Sequence, residues 1–77
     1  MTKTEFIDKL ENSWDSAIGD LSFEAACNGD RNIEALCEVY YNAYHTDDYQ
    51  KTGGPDDGLC YEVRRFAIDK IIEILED

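Results

Sequence analysis

Apolar side chains recur along this chain at spacings of three and four with polar residues between them, the period of helices that each bury one face. Phe6, Ile7, Leu10, Trp14, Ala17 and Ile18 carry that rhythm across residues 3–18. They predict a first helix opened by a Thr2–Glu5 capping box and stopped at Gly19. Ser22 is placed to cap a short second helix holding Phe23, Ala25, Ala26 and Cys27, which the Asn28-Gly29 pair ends by accepting a left-handed backbone. A third helix begins at Asp30 or Asn32 and turns Ile33, Leu36, Cys37, Tyr40, Tyr41 and Tyr44 inward.

From His45 to Asp57 the rhythm lapses. The segment HTDDYQKTGGPDD carries Gly53, Gly54, Pro55 and the aspartates 47, 48, 56 and 57, which is turn chemistry with no periodic apolar face, so an exposed loop is expected. Asp57 or Asp56 then caps a last helix from about Gly58 to Leu75, with Leu59, Cys60, Val63, Phe66, Ala67, Ile71 and Ile74 on one side. Tyr61, Ile68, Ile72 and Leu75 widen that arc, which suits a central helix packed on two sides or a surface shared with a second copy. Burial within one chain is the simpler use, and favours a monomer over a homodimer. The fold expected is an all-α, compact bundle of three to four helices forming one domain over residues 1–77, with a long acidic loop before the last helix.

Composition supports folding and limits what the fold can hold. At 77 residues, folding buries only about 60% of the unfolded chain's surface, leaving little room for a deep pocket. The 43% hydrophobic and 12% aromatic residues are nevertheless enough for a core, unlike those of a disordered acidic tail.

Charge changes the picture most. Eighteen Asp and Glu against seven Lys and Arg give a net charge of −11, which repels nucleic acid and anionic membranes and attracts cationic proteins. Proteins that grip phosphate backbones present such cationic surfaces, so the partner expected is a basic nucleic-acid-binding protein or complex. No apolar run approaches the roughly 20 residues of a membrane-spanning helix. The odd set Cys27, Cys37 and Cys60 lacks CxxC spacing, and a charged-then-apolar leader does not precede it. These features point to a reducing cytoplasm, with the cysteines packed in the core.

The acidic residues fall in rows. Glu5, Asp8, Glu11 and Asp15 share one arc of the predicted first helix, Glu34 and Glu38 lie one turn apart on the third, and Glu62, Asp69, Glu73 and Glu76 share an arc of the last. One helical turn advances about 5.4 Å, a spacing that lets such rows imitate the phosphates of a nucleic-acid strand. The alternative is that they are solvated faces, although −11 exceeds the net charge of about 2–8 that solubility asks of a small domain. Glu5, Asp8, Glu11, Asp15, Glu34 and Glu38 are therefore the candidate partner-binding residues. Asp47, Asp48 and Tyr49 join them as a loop tip offering charge and an aromatic anchor together.

Other chemistry finds little footing in the residues. His45 is the one histidine, and a nucleophile, base and orienting acid would have to assemble around it, so no catalytic residue is assigned. The loop aspartates do not follow calcium-loop spacing, zinc would need a fourth ligand with paired spacing, and no cofactor or metal is expected. Trp14, Tyr40, Tyr41 and Tyr44 fall on predicted core faces, whereas Tyr49 and Tyr61 lie off them.

Three resemblances bear on function. The Asp15-Ser16 pair is similar to the Asp-Ser that carries the prosthetic arm of acyl carrier proteins, but it sits late in the first helix and precedes Ala17 rather than leucine, so carrier function is not inferred. The tyrosine-rich third helix with the Asp, Gly and Pro segment after it resembles acidic helical immunity proteins that neutralise nuclease toxins. In size and charge the whole chain resembles phage-encoded inhibitors of the anti-CRISPR and antirestriction kind, many of which imitate nucleic acid. That last resemblance implies a stoichiometric inhibitor acting in the host cytoplasm on a basic defence effector. An immunity protein and a helical interaction adaptor remain the alternatives.

Overall fold

The computed structural model describes residues 1–43 and 58–76, with side chains for 1–43 and 61–76. Four helices account for them: α1 (Lys3–Asn12), α2 (Trp14–Asn28), α3 (Arg31–Asn42) and α4 (Gly58–Ile74). The protein is all-α, as its periodicity predicts. The segment read as a long acidic loop lies outside the described residues.

Helices α1, α2 and α3 begin where a side chain satisfies their free backbone groups. The Thr2 hydroxyl accepts from the Glu5 amide at 3.2 Å and donates to the Glu5 carboxylate, a close relative of the expected capping box. Gly29, at φ 71°, ends α2 with a Schellman turn in which the Asp30 amide donates to the Ala25 carbonyl at 2.9 Å and the Gly29 amide to Ala26 at 3.4 Å. The Asp30 carboxylate then accepts from the Ile33 amide at 3.1 Å and opens α3.

The first two helices depart from expectation. The helix predicted over residues 3–18 breaks at Ser13, whose extended backbone (φ −165°) lets its hydroxyl accept from the Ser16 amide at 3.3 Å and cap a new helix. Gly19 stops nothing: α2 runs through it to Asn28, so the short helix predicted from Ser22 is the second half of a longer one. A Cβ at Gly19 would stand 3.4 Å from the Tyr41 hydroxyl, so the residue sits at the α2–α3 seam. The break allows α2 to fold back along α1, bringing Ala17, Ile18 and Leu21 against Phe6 in one core.

Neighbours in sequence are neighbours in space: α1 packs on α2, α2 on α3 and α3 on α4, and α4 returns to α1. The Lys3 amide closes this circuit on the Glu76 carbonyl at 3.2 Å. Phe6, Ile18, Leu21, Ile33, Cys37, Tyr40, Ile68 and Ile71 fill the centre, each at most 2% exposed. Fully burying a large apolar side chain contributes roughly 1.5–3 kcal/mol, so truncating any of these residues should be costly.

The last helix is rotated from its predicted orientation. Phe66 and Ile74, expected inside, are 53% and 45% exposed, while Ile68, expected on the outer flank, is 1% exposed. The cause is Arg64, which is 4% exposed and occupies the buried face together with Ala67, Ile68 and Ile71. Counting apolar positions leaves an arginine out of the core and so misplaces the face around it. Two further core assignments also change: Tyr41 is 36% exposed, and Cys27 is exposed on α2. Among the described residues, no helix is long and apolar enough to cross a membrane.

Candidate functional site

The carboxylates expected to contact a partner do not form one face. On α1, Glu5, Asp8 and Glu11 are exposed at successive three-residue steps, opposite or flanking the Phe6 side that enters the core. Glu38 is exposed on α3 and Glu34 half-buried, but α1 and α3 do not pack on each other. The α1 row and the α3 pair therefore belong to separate parts of the surface. Asp47, Asp48 and Tyr49 lie outside the described residues.

Asp15 has a structural partner. Beginning α2 rather than continuing α1, it accepts from Arg64 Nη2 at 3.2 Å and from the Tyr40 hydroxyl, and Arg64 in turn donates to the Tyr40 oxygen. Arg64 also lies 5.4 Å from the centre of the Trp14 ring and 4.7 Å from that of Tyr40. The cation thus meets a carboxylate and the rings' negative faces at once. Tyr61 covers Trp14 from α4, with ring centres 5.7 Å apart. Only the break at Ser13 brings Trp14 and Asp15 into this cluster, which no spacing rule anticipates.

The surface between α1 and α2 concentrates the remaining features. A cleft of about 460 Å³ is lined by Met1, Glu5, Lys9, Asp20, Phe23, Glu24 and Cys27. Phe23 stands on its rim, 75% exposed, the most exposed of the large hydrophobic residues described. Lys9 bonds Asp20 at 2.9 Å across the cleft, and the Met1 amino group meets Glu24. Asp8 and Glu11 continue the negative surface along α1. The expected row of acids missed Asp20, Glu24 and Phe23, because the predicted stop at Gly19 hid their shared helix.

Cations do little to neutralise the exterior. Arg64 is buried, and Lys9, Arg65 and Lys70 lie against Asp20, Asp69 and Glu73 at 2.9, 3.3 and 3.3 Å. Seven Lys and Arg against eighteen Asp and Glu leave the net field negative however they pair.

A second groove, about 350 Å³, runs between α3 and α4 over Asn32, Ala35, Leu36, Phe66, Lys70, Glu73 and Ile74. Its apolar walls are the exposed Phe66 and Ile74, and its charges, Lys70 and Glu73, bond each other.

The thiols differ sharply. Cys37 is buried, and desolvation, opposed by a hydrogen bond from Ser22 and aided by Glu34, pushes its pKa from 9.0 to about 11. It is a neutral packing group at neutral pH. Cys27 is exposed in the α1–α2 cleft. Burial also raises the Tyr41 hydroxyl above its ordinary range, with the negative charges of Cys37, Asp15 and Asp20 adding to it. Among the described residues no group of three or more His, Cys, Asp or Glu could hold a metal ion.

Comparison with family models, curated proteins and solved structures gives no match for this chain.

Proposed function

We propose that this protein is a stoichiometric inhibitor, not an enzyme, that binds a basic nucleic-acid-binding surface of a host defence effector in the manner of an anti-CRISPR or other nucleic-acid mimic. The observation that carries this reading is the row Glu5, Asp8 and Glu11 on α1, exposed and without an ion pair among the described residues, reaching at Glu5 the α1–α2 cleft where Asp20 and Glu24 hold Lys9 and the Met1 amino group. The protein acts as a monomer in the host cytoplasm and does not itself bind nucleic acid. Its carboxylates occupy phosphate-binding positions on the partner and speed encounter through the long-range field. Glu34 and Glu38, on a part of the surface that does not adjoin α1, contribute to the field rather than to the same contact.

The test uses an Asp8→Lys, Glu11→Lys variant, with Asp15 left intact because of its bond to Arg64. Wild type should retain nucleic-acid-binding proteins from host lysate at low salt, release them at high salt, and compete with labelled nucleic acid for the retained protein. The variant, folded by circular dichroism, should lose at least about tenfold in competition, the effect of roughly 1.4 kcal/mol. Equal competition by both proteins overturns the reading.

A second reading, a helical interaction adaptor, draws on the exposure of Phe66 and Ile74 over the α3–α4 groove. A Phe66→Ser, Ile74→Ser variant that loses the captured partner, while the α1 charge reversal keeps it, would favour the adaptor.

A further inference from the structure

Phe23 is out of place if the α1–α2 surface serves solubility alone. It is the most exposed large hydrophobic residue described, at 75%, and it stands at the rim of a cleft it shares with Glu5, with the Lys9–Asp20 and Met1–Glu24 pairs and with Cys27. A lone exposed phenylalanine contributes nothing to the core, and α2 would form as well with a polar residue there. A carboxylate beside an aromatic ring makes a different kind of site from a row of carboxylates alone. The ring offers a flat negative face, and the acid supplies charge at its edge.

We propose that Phe23 and the adjoining Glu5 form a receptor for arginine side chains of the cationic partner, with a guanidinium stacked on the Phe23 ring and donating to the Glu5 carboxylate. This rests on the reading that the partner is cationic and adds which cation it presents. Charge complementarity names the partner's sign, since Lys9 and the Met1 amino group are already engaged by Asp20 and Glu24 while Glu5, Asp8 and Glu11 have no cation bonded to them among the described ion pairs. The ring selects within that sign. A guanidinium is planar, weakly hydrated and able to stack while donating in its plane to a carboxylate, whereas an ammonium keeps its water and acts as a point charge. A second copy of this chain is a poor occupant, because each carries a charge of −11.

The experiment uses two fluorescent peptides of equal length and charge, nona-arginine and nona-lysine, with fluorescence anisotropy at low and high salt. Wild type should bind the arginine peptide more tightly. Phe23→Ala should reduce arginine affinity by about two- to fivefold, the factor an exposed cation–π contact supplies, and leave lysine affinity unchanged. Phe23→Leu, which keeps an apolar side chain but removes the ring, should behave like Phe23→Ala. In a Cys60→Ser background, saturating arginine peptide should also protect Cys27, which lines the same cleft, from maleimide.

Arginine affinity unaltered by both Phe23 substitutions, or Cys27 left unprotected, overturns the receptor while the charge-based reading stands. Salt-insensitive binding, or binding to neither peptide, overturns the charge-based reading as well. A concentration-dependent dimer that Phe23→Ala dissolves would instead assign the ring to self-association and overturn the proposal.

Discussion

Arg64 and Asp15 lie forty-nine residues apart in sequence and meet at 3.2 Å, joining α4 to α2 across the bundle. Their environments differ: the arginine side chain is 5% exposed and the aspartate side chain 60%. Removing the two partners should therefore cost unequal amounts. Asp15→Ala takes a carboxylate away from a buried cation and a hydrogen bond from Tyr40, and should destabilise by about 2 kcal/mol. Arg64→Met removes the buried charge, keeps contact with Trp14 and Tyr40, and leaves an aspartate that water can reach. It should cost no more than about 1.5 kcal/mol. Urea denaturation of the two variants measures both, and a greater loss for Arg64→Met would sink this account.

Gly19 within α2 and Gly29 at its C-cap should respond with opposite sign to alanine. Gly29 adopts φ 71° with open space around it, so Gly29→Ala incurs only the left-handed backbone penalty of about 1–2 kcal/mol. Gly19 is helical, and an added Cβ would make an ordinary 3.4 Å contact with Tyr41. Gly19→Ala should stabilise by roughly 0.5–1 kcal/mol through backbone entropy. In a domain of this size each kcal/mol moves Tm by about 4–8 °C. Thermal unfolding should show the two variants on either side of wild type, and a fall in Tm for Gly19→Ala would mean that the Tyr41 seam cannot give.

These positions also mark where the sequence was legible. The Gly29–Asp30 junction could be read because each cap is a local event: one residue accepts a left-handed backbone and the next accepts an amide three residues on. Ser13 could not, since Trp14 continues the rhythm of Phe6 and Leu10 and hides a cap whose only trace is the polar pair Asn12-Ser13. Gly19 misled in the opposite direction, because a packed helix tolerates one glycine. The orientation of α4 turned on Arg64, whose burial depends on Asp15, Tyr40 and Trp14 arriving from two other helices. Of the acids proposed for binding, Glu5, Asp8 and Glu11 do lie exposed together, but Asp15 is separated from them by that break. Phe23 was missed because its predicted helix was too short to show which way it faced.

The rotation of α4 makes a direct prediction about its apolar residues. Phe66→Ser and Ile74→Ser, at half-exposed positions, should each change stability by less than about 1 kcal/mol, whereas Ile68→Ala should cost about 2–5 kcal/mol. The reverse ranking in urea denaturation would restore the face that apolar counting alone suggests.

Cys37 and Cys27 should separate chemically. In a Cys60→Ser background, Ellman's reagent at neutral pH should titrate Cys27 in the folded protein and reach Cys37 only after unfolding. The buried thiol also ties stability to alkaline pH. Its folded pKa of about 11 stands above the unfolded 9.0, so its stabilising contribution is complete below pH 9 and is lost as pH rises toward 11. Tyr41, raised by burial, pushes in the same direction. Urea midpoints followed from pH 8 to about 11 should fall, and Cys37→Ala should flatten the fall while lowering stability at pH 8. An unchanged slope in that variant would detach the effect from the thiol.

The acidic row should be a burden on the free protein and an asset only in complex. Glu5, Asp8 and Glu11 stand at three-residue steps on one helix, where like charges destabilise by roughly 0.2–0.5 kcal/mol per pair. Asp8 has a like-charged neighbour on each side, so Asp8→Asn relieves two repulsions together. It should raise stability by a few tenths of a kcal/mol at low salt, with the gain fading as salt shortens the Debye length from about 10 Å at 0.1 M toward 3 Å at 1 M. The same substitution should weaken binding to a cationic partner at low salt. Measuring both against ionic strength separates a functional row from a merely solvated one: opposite signs for folding and binding are expected of the first. A variant that gains stability and keeps its full affinity would leave the row with no role beyond solubility.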